Sequence, residues 1–76
     1  MDTRSRYFRL SRRDIAYFKY IFEAYEGLAV VRTKDPSEAV VELMVAPGWE
    51  ADVDFVLESL RKEIPFEPLP VEDARP

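Results

Sequence analysis

Apolar residues recur along this chain with two different periods. Alternation of apolar and polar residues over Arg4–Leu10 predicts a first strand, with Phe8 and Leu10 on the side that meets a core. Across residues 15–25 the apolar positions return every third or fourth residue, which predicts a helix. The same spacing across residues 53–64 predicts a second helix, so the chain contains helical and extended segments in turn.

Two short runs rich in β-branched residues lie between the predicted helices. Residues 28–33 and 39–45 are each long enough for a strand, and residues 34–37, Lys-Asp-Pro-Ser, form a turn-prone link. We therefore predict a hairpin in which Thr33 faces Glu38. The residues that this register turns toward the core are Leu28, Val30, Arg32, Ala39, Val41 and Leu43.

Residues with strong local preferences mark the ends of these elements. Ser11 and Asp14 have the spacing of a capping box, which predicts the start of the first helix. Gly27 can end that helix, because glycine enters the left-handed conformation without a steric penalty. Pro65 ends the second helix, and Phe66–Leu69 is predicted to be a final edge strand that is short or frayed.

The order strand, helix, strand, strand, helix, strand predicts the fold class. Two helices on one face of a mostly antiparallel sheet give an α+β, ferredoxin-like βαββαβ sandwich with the first and third strands in the centre. A chain of 76 residues is long enough for one such domain. We expect an ordered core over about residues 4–69 and a flexible tail over residues 70–76.

Composition narrows the classes of function. The chain has no histidine and no cysteine, which removes the usual general base, the thiol nucleophile and the common zinc ligands. We therefore expect a protein that is not an enzyme, with no catalytic residues, metal site or cofactor. The lack of cysteine fits the cytoplasm, and the lack of a long apolar run predicts no membrane segment.

The first helix carries more aromatic surface than one sheet can cover. Tyrosine combines an apolar ring with a polar hydroxyl, which suits a partly wet interface. We therefore predict contact with a second copy or with an unknown protein partner, through this helix or through the edge strand over residues 28–33. The predicted interaction residues are Tyr17, Tyr20, Ala24 and Phe55.

Nucleic-acid binding is a lesser alternative. RNA-binding domains with this strand order stack bases on aromatic residues of the two central strands. On the first strand the outward face carries the aromatic Tyr7 and the basic Arg9, and residues 1–20 carry six basic and two acidic side chains. Glu42 on the third strand would repel phosphate, however, so we regard nucleic acid as an unfavourable partner.

The run from Tyr7-Phe8-Arg9-Leu10-Ser11 to Val30-Val31-Arg32-Thr33 resembles a family of short bacterial proteins catalogued as a domain of unknown function. The resemblance spans about residues 5–69 and implies no activity. In outline the chain is also similar to ACT regulatory domains, whose βαββαβ units pair with one another and bind amino acids near the loop after the first strand. This second resemblance implies an ACT-like layout and a small-molecule ligand at the corresponding loop. The residues of that loop here are Ser11, Arg12, Arg13 and Asp14.

Taken together, these patterns favour a non-enzymatic binding or interaction module, with self-association as one form of it. ACT-like sensing of an amino acid is the alternative, and RNA binding through the sheet is the lesser one. The three hypotheses differ in the surface they use, so the arrangement of the exposed residues decides between them.

Overall fold

A computed structural model gives the arrangement of these segments, and it describes residues 4–25 and 27–70. The greater part of the predicted tail, residues 71–76, lies outside the described residues. The elements in chain order are strand β1, Arg4–Leu10; a 3-10 turn, Arg12–Asp14; helix α1, Ile15–Ala24; strand β2, Ala29–Asp35; strand β3, Val40–Val45; helix α2, Glu50–Arg61; and strand β4, Phe66–Leu69.

The four strands form one antiparallel sheet in the order β2-β3-β1-β4. The first and third strands are central, as the sequence predicts, and the order is compatible with the ferredoxin-like layout. The α+β prediction is confirmed. The last strand is short, with four residues that pair with Tyr7–Leu10 on β1.

Both helices pack on the same face of the sheet, and the core lies between the two layers. Its centre is a group of phenylalanine rings: Phe18 lies 5.1 Å from Phe22 and 5.7 Å from Phe66, measured between ring centroids. Phe8 contacts Phe66 edge-on at 5.6 Å, so β4 is joined to the core through a ring as well as through its backbone. The strand residues that point into this core from the other three strands are Phe8, Leu10, Val31, Val41, Leu43 and Val45.

The predicted register of the hairpin is wrong. Thr33 pairs with Val41 rather than facing Glu38, and the ladder shifts between Thr33 and Asp35. Consequently Val31 is buried, at 6% exposure, while Val30 is 61% exposed on the other face. Because side chains alternate along a strand, this difference exchanges the faces that were expected for β2, including that of Arg32.

The turn chemistry explains why the register differs. The Asp35 carboxylate accepts hydrogen bonds from the amides of Ser37 and Glu38 and from the Ser37 hydroxyl, so the chain reverses two residues later than predicted. Hydrogen bonding from Ser37 is the main cause of the lowered pKa of Asp35. Ala39 then takes a positive φ of 56°, which places Val40 at the start of β3.

The helix boundaries also differ in detail from the sequence prediction. The Ser11 side chain forms no capping hydrogen bond; its backbone carbonyl instead accepts from the Asp14 amide at 2.9 Å, which closes the 3-10 turn before α1. Gly27 does have a positive φ of 77°, in agreement with its predicted role after the helix. The second helix ends at Arg61, before Ile64, since the last turn tightens ahead of Pro65.

No helix within the described ranges is both long and apolar enough to cross a membrane.

Candidate functional site

Within residues 4–25 and 27–70, no second layer of structure covers the face of the sheet opposite the helices. Because side chains alternate, the residues next to the core-facing positions point to this side, and the strand register places them opposite one another. We call this surface the open sheet face. Its residues are Ser5, Tyr7, Arg9, Val30, Arg32, Val40, Glu42, Met44, Glu67 and Leu69.

The centre of the open sheet face is a buried carboxylate. Glu42 is only 5% exposed, and its side chain accepts three hydrogen bonds. One carboxylate oxygen accepts from the Ser5 hydroxyl at 2.7 Å and from the Tyr7 hydroxyl at 3.2 Å, and the other accepts from the Arg32 guanidinium at 2.6 Å. The strand register creates this cluster, since both Tyr7 and Arg32 lie directly across from Glu42 on neighbouring strands.

The hydrogen bonds keep this carboxylate ionised. Burial is the largest single influence and by itself would raise the pKa of Glu42. The hydrogen bonds from Ser5 and Arg32, with the charge of Arg32, together outweigh burial, so the pKa of Glu42 is lowered overall. The site therefore holds a negative charge that is already compensated.

The other charged side chains of the open sheet face are also paired. Arg9 lies between Glu38 at 3.6 Å and Glu67 at 3.7 Å. These groups are exposed, so the pairs contribute little to folding stability. Their effect is on the charge pattern: Arg9, Arg32, Glu42 and Glu67 each have a partner of opposite sign on the same face or in the hairpin turn.

The predicted interaction residues lie on the helical layer. Tyr20, Ala24 and Phe55 are exposed, whereas Tyr17 is half-buried. The Tyr17 hydroxyl donates to a Glu63 oxygen at 2.5 Å, and this hydrogen bond is the main cause of the raised pKa of Tyr17. Their role in binding stays a prediction.

Phe55 borders a groove that the sequence analysis did not identify. The groove lies where the end of α1 meets the start of α2 and has a volume of about 250 Å³. We call it the aromatic groove. Its lining residues are Tyr25, Leu28, Trp49, Asp52, Phe55 and Val56.

Two aromatic residues of this groove, Tyr25 and Trp49, continue the core-facing stripes of their segments in the sequence. The structure places both at the surface, 50% and 48% exposed, because each lies beyond a helix end, close to a glycine with positive φ. An aromatic residue within two positions of Gly27 or Gly48 is the signal that could have identified them. Periodicity misleads at these positions, since α1 has already ended at Ala24 and α2 begins only at Glu50.

The predicted ligand loop is a compact turn at the surface. Ser11, Arg12 and Arg13 are exposed and Asp14 is half-buried. The Arg12 guanidinium lies 3.4 Å from the Ser37 carbonyl oxygen, to which it donates, so it connects the loop to the hairpin turn. Of the four residues, Arg12 borders a shallow hollow shared with Ile15 and Lys19. Ligand binding at this loop stays a prediction.

Comparison with known proteins identifies the family. Neither the curated proteins nor the solved structures give a match. A family model described as a domain of unknown function, DUF4911, matches residues 8–64. This segment runs from the core-facing half of β1 to the end of the second helical region, and it contains the whole aromatic groove. The chain therefore belongs to the DUF4911 family of domains of unknown function.

Proposed function

We propose that this protein is a non-enzymatic interaction module that self-associates by stacking the open sheet faces of two copies. The observation that carries the proposal is Glu42, a nearly buried carboxylate with three donors on a face that no helix of the described residues covers. Its burial in the single chain is already offset by these donors, which matters because an unpaired buried charge costs several kcal/mol. A second copy could therefore cover the centre of this face without leaving the carboxylate unpaired.

The charge pattern of the open sheet face supports the same conclusion. The Glu42 charge is balanced by Arg32, and Arg9 is balanced by Glu38 and Glu67. Covering the face would therefore isolate none of these charges. Phosphate recognition, in contrast, requires unpaired cations, and the central position is occupied by an acid, so this arrangement favours a protein surface over RNA.

The size and the apolar residues of the face suit a second copy. The molecule measures 30 × 27 × 16 Å. The area of its broadest side is therefore at most roughly 800 Å², which is the area per partner of a standard protein interface. Val30 is 61% exposed and lies opposite Met44, so the edge of the face offers apolar surface that stacking would cover.

The amino-acid composition supports two further parts of this proposal, a cytoplasmic location and a role that is not enzymatic. With no cysteine the chain needs no oxidising environment, which supports a cytoplasmic location. With no histidine, acid–base chemistry near neutral pH would depend on carboxylates, and the most buried one is held ionised by its donors.

Light scattering coupled to size exclusion across a dilution series tests the pairing. We expect the mass of a dimer at high micromolar concentration for the wild type. Val30→Glu should give a monomer, because stacking would bury two like charges without partners. Ala51→Glu is the matched control, since it adds the same charge at an exposed position on α2 and should leave the dimer intact. A monomeric wild type at high micromolar concentration, or equal dissociation by both variants, would overturn the proposal.

A further inference from the structure

We propose a second site: the aromatic groove binds a small quaternary ammonium compound such as choline. The groove lies on the helical layer, so it is independent of the open sheet face and of dimer formation. The site combines three aromatic side chains with one carboxylate, which is the combination that recognises a methylated ammonium group.

The aromatic side chains supply the walls of the site. Tyr25, Trp49 and Phe55 are 50%, 48% and 72% exposed, although each could gain stability by burial. Single exposed aromatic residues are ordinary, but these three border one groove. Leu28 and Val56 are buried and line the same groove, so its apolar surface continues into the core.

The charge of the groove selects a cation. Asp52 is the charged residue of the lining, and within residues 4–25 and 27–70 it forms no ion pair. Glu50 in the same helical turn accepts from the Gly48 amide at 3.1 Å, which adds a second negative charge nearby. The faces of aromatic rings are themselves negative, so rings and carboxylate attract the same kind of ligand.

The scarcity of polar groups selects a methylated cation. A lysine ammonium or an arginine guanidinium carries several N–H donors that need acceptors once they leave water. A quaternary ammonium has no N–H donor, so apolar walls and one carboxylate are sufficient. The volume of about 250 Å³ lies below the range of drug-sized sites, roughly 300–1,000 Å³, and suits a small head group.

Backbone hydrogen bonds hold the two walls at the helix ends in position. The Trp49 amide donates to the Ala46 carbonyl at 3.1 Å, and the Trp49 carbonyl accepts from Val53 at 3.0 Å. On the other side, the Tyr25 amide donates to Phe22 and the Tyr25 carbonyl accepts from Leu28, both at 3.2 Å. A site with its backbone fixed loses less entropy when the ligand binds.

Trp49 is the single tryptophan of the chain, so its fluorescence reports directly on the groove. The experiment titrates the 76-residue chain with choline at constant ionic strength. A parallel titration uses 3,3-dimethylbutan-1-ol, a neutral compound of the same shape in which carbon replaces the nitrogen. Proton NMR of the choline methyl groups gives a second measurement, because the rings should shift their resonance upfield.

We expect a saturable change with choline and binding of the neutral analogue that is weaker by about tenfold, which corresponds to roughly 1.4 kcal/mol. Asp52→Asn and Phe55→Ala should each weaken choline binding several-fold. Tyr20→Ala is the matched control, since Tyr20 is 66% exposed on α1 but does not line the groove, and it should bind as the wild type does. Equal binding of the neutral analogue, a response that never saturates, or unchanged binding by Asp52→Asn and Phe55→Ala would overturn the proposal.

Discussion

Glu42 is the residue that most strongly determines the chemistry of the open sheet face. Its position alternates with the core residues Val41 and Leu43, so the sequence alone places it on the face away from the helices. The polar neighbours come from the two strands beside β3, and they convert an unfavourable burial into a stable ion pair with two further hydrogen bonds. An acid at the centre of the sheet is unfavourable for base stacking, which is one reason why we propose protein contact for this face.

The lowered pKa of Glu42 predicts how stability depends on pH. The unfolded value is near the ordinary 4.5 and the folded value is lower, so the ionised form stabilises the fold above pH 4.5 and this contribution is lost as pH falls through the folded pKa. Glu42→Gln should lower the free energy of unfolding at pH 7 by about 1–3 kcal/mol. Urea unfolding of both proteins at several pH values measures the difference.

The difference between wild type and Glu42→Gln should shrink toward zero at acid pH, because protonated glutamate then resembles glutamine. The prediction fails if the difference in the free energy of unfolding is the same at pH 7 and at acid pH. That result would show that the hydrogen bonds to Glu42 stabilise the fold equally well without its charge.

At the scale of elements, the turns decide more than the helices do. The hairpin reverses where the Asp35 carboxylate caps the turn, and this fixes which face of β2 is buried. After α1, Gly27 takes a φ of +77° and so directs the chain toward β2. The turn before α2 contains Gly48 with a φ of +87°, so both walls of the aromatic groove depend on a glycine turn.

Replacing Gly27 tests this dependence. A methyl group at this position meets no atom within 4 Å, so Gly27→Ala introduces backbone strain without a clash. We expect a loss of about 1–2 kcal/mol in the free energy of unfolding, since non-glycine residues are disfavoured in the left-handed region. Gly27→Asn is the matched comparison and should lose less, because asparagine tolerates this conformation. Urea denaturation that finds both variants as stable as the wild type would contradict the role assigned to Gly27.

At the scale of the whole molecule, residues 4–25 and 27–70 form two layers. Within these ranges the helices cover one face of the sheet and no other element covers the second face, in a molecule 16 Å thick. A chain of 76 residues buries only roughly 60% of the surface that it exposes when unfolded, so the association of two copies that we propose would add stability. The aromatic groove lies on the helical side, away from the surface that the proposed dimer would use.

Association also predicts a stability that depends on protein concentration. If two folded copies bind each other, the urea midpoint of the wild type should rise with protein concentration. The reason is mass action, because a higher concentration favours the dimer and only folded chains form it. Val30→Glu should show a midpoint independent of concentration, and Ala51→Glu should behave like the wild type. Circular dichroism at low and high micromolar protein makes the comparison, and a wild-type midpoint that does not move would count against pairing.

The general fold could be predicted from local patterns. The helical spacing of Phe18 and Phe22, the alternation around Phe8, and Pro65 are each properties of a short segment, and short-range physics is sufficient to interpret them. The same patterns identified the exposed Tyr20 and Phe55. They could not identify Tyr25 and Trp49, because α1 ends before Tyr25 and α2 begins after Trp49, although the apolar period includes both residues.

The sequence by itself determined the order of helices and strands, the one-sided core and the lack of histidine and cysteine, since these depend on residue type and spacing. Only the tertiary structure decided the register of β2, the donors around Glu42 and the groove that Trp49 shares with Phe55 and Tyr25. Those features join residues that are distant in the chain. A turn that closes two residues later moves every side chain of a strand to a new partner, and no local pattern records that choice.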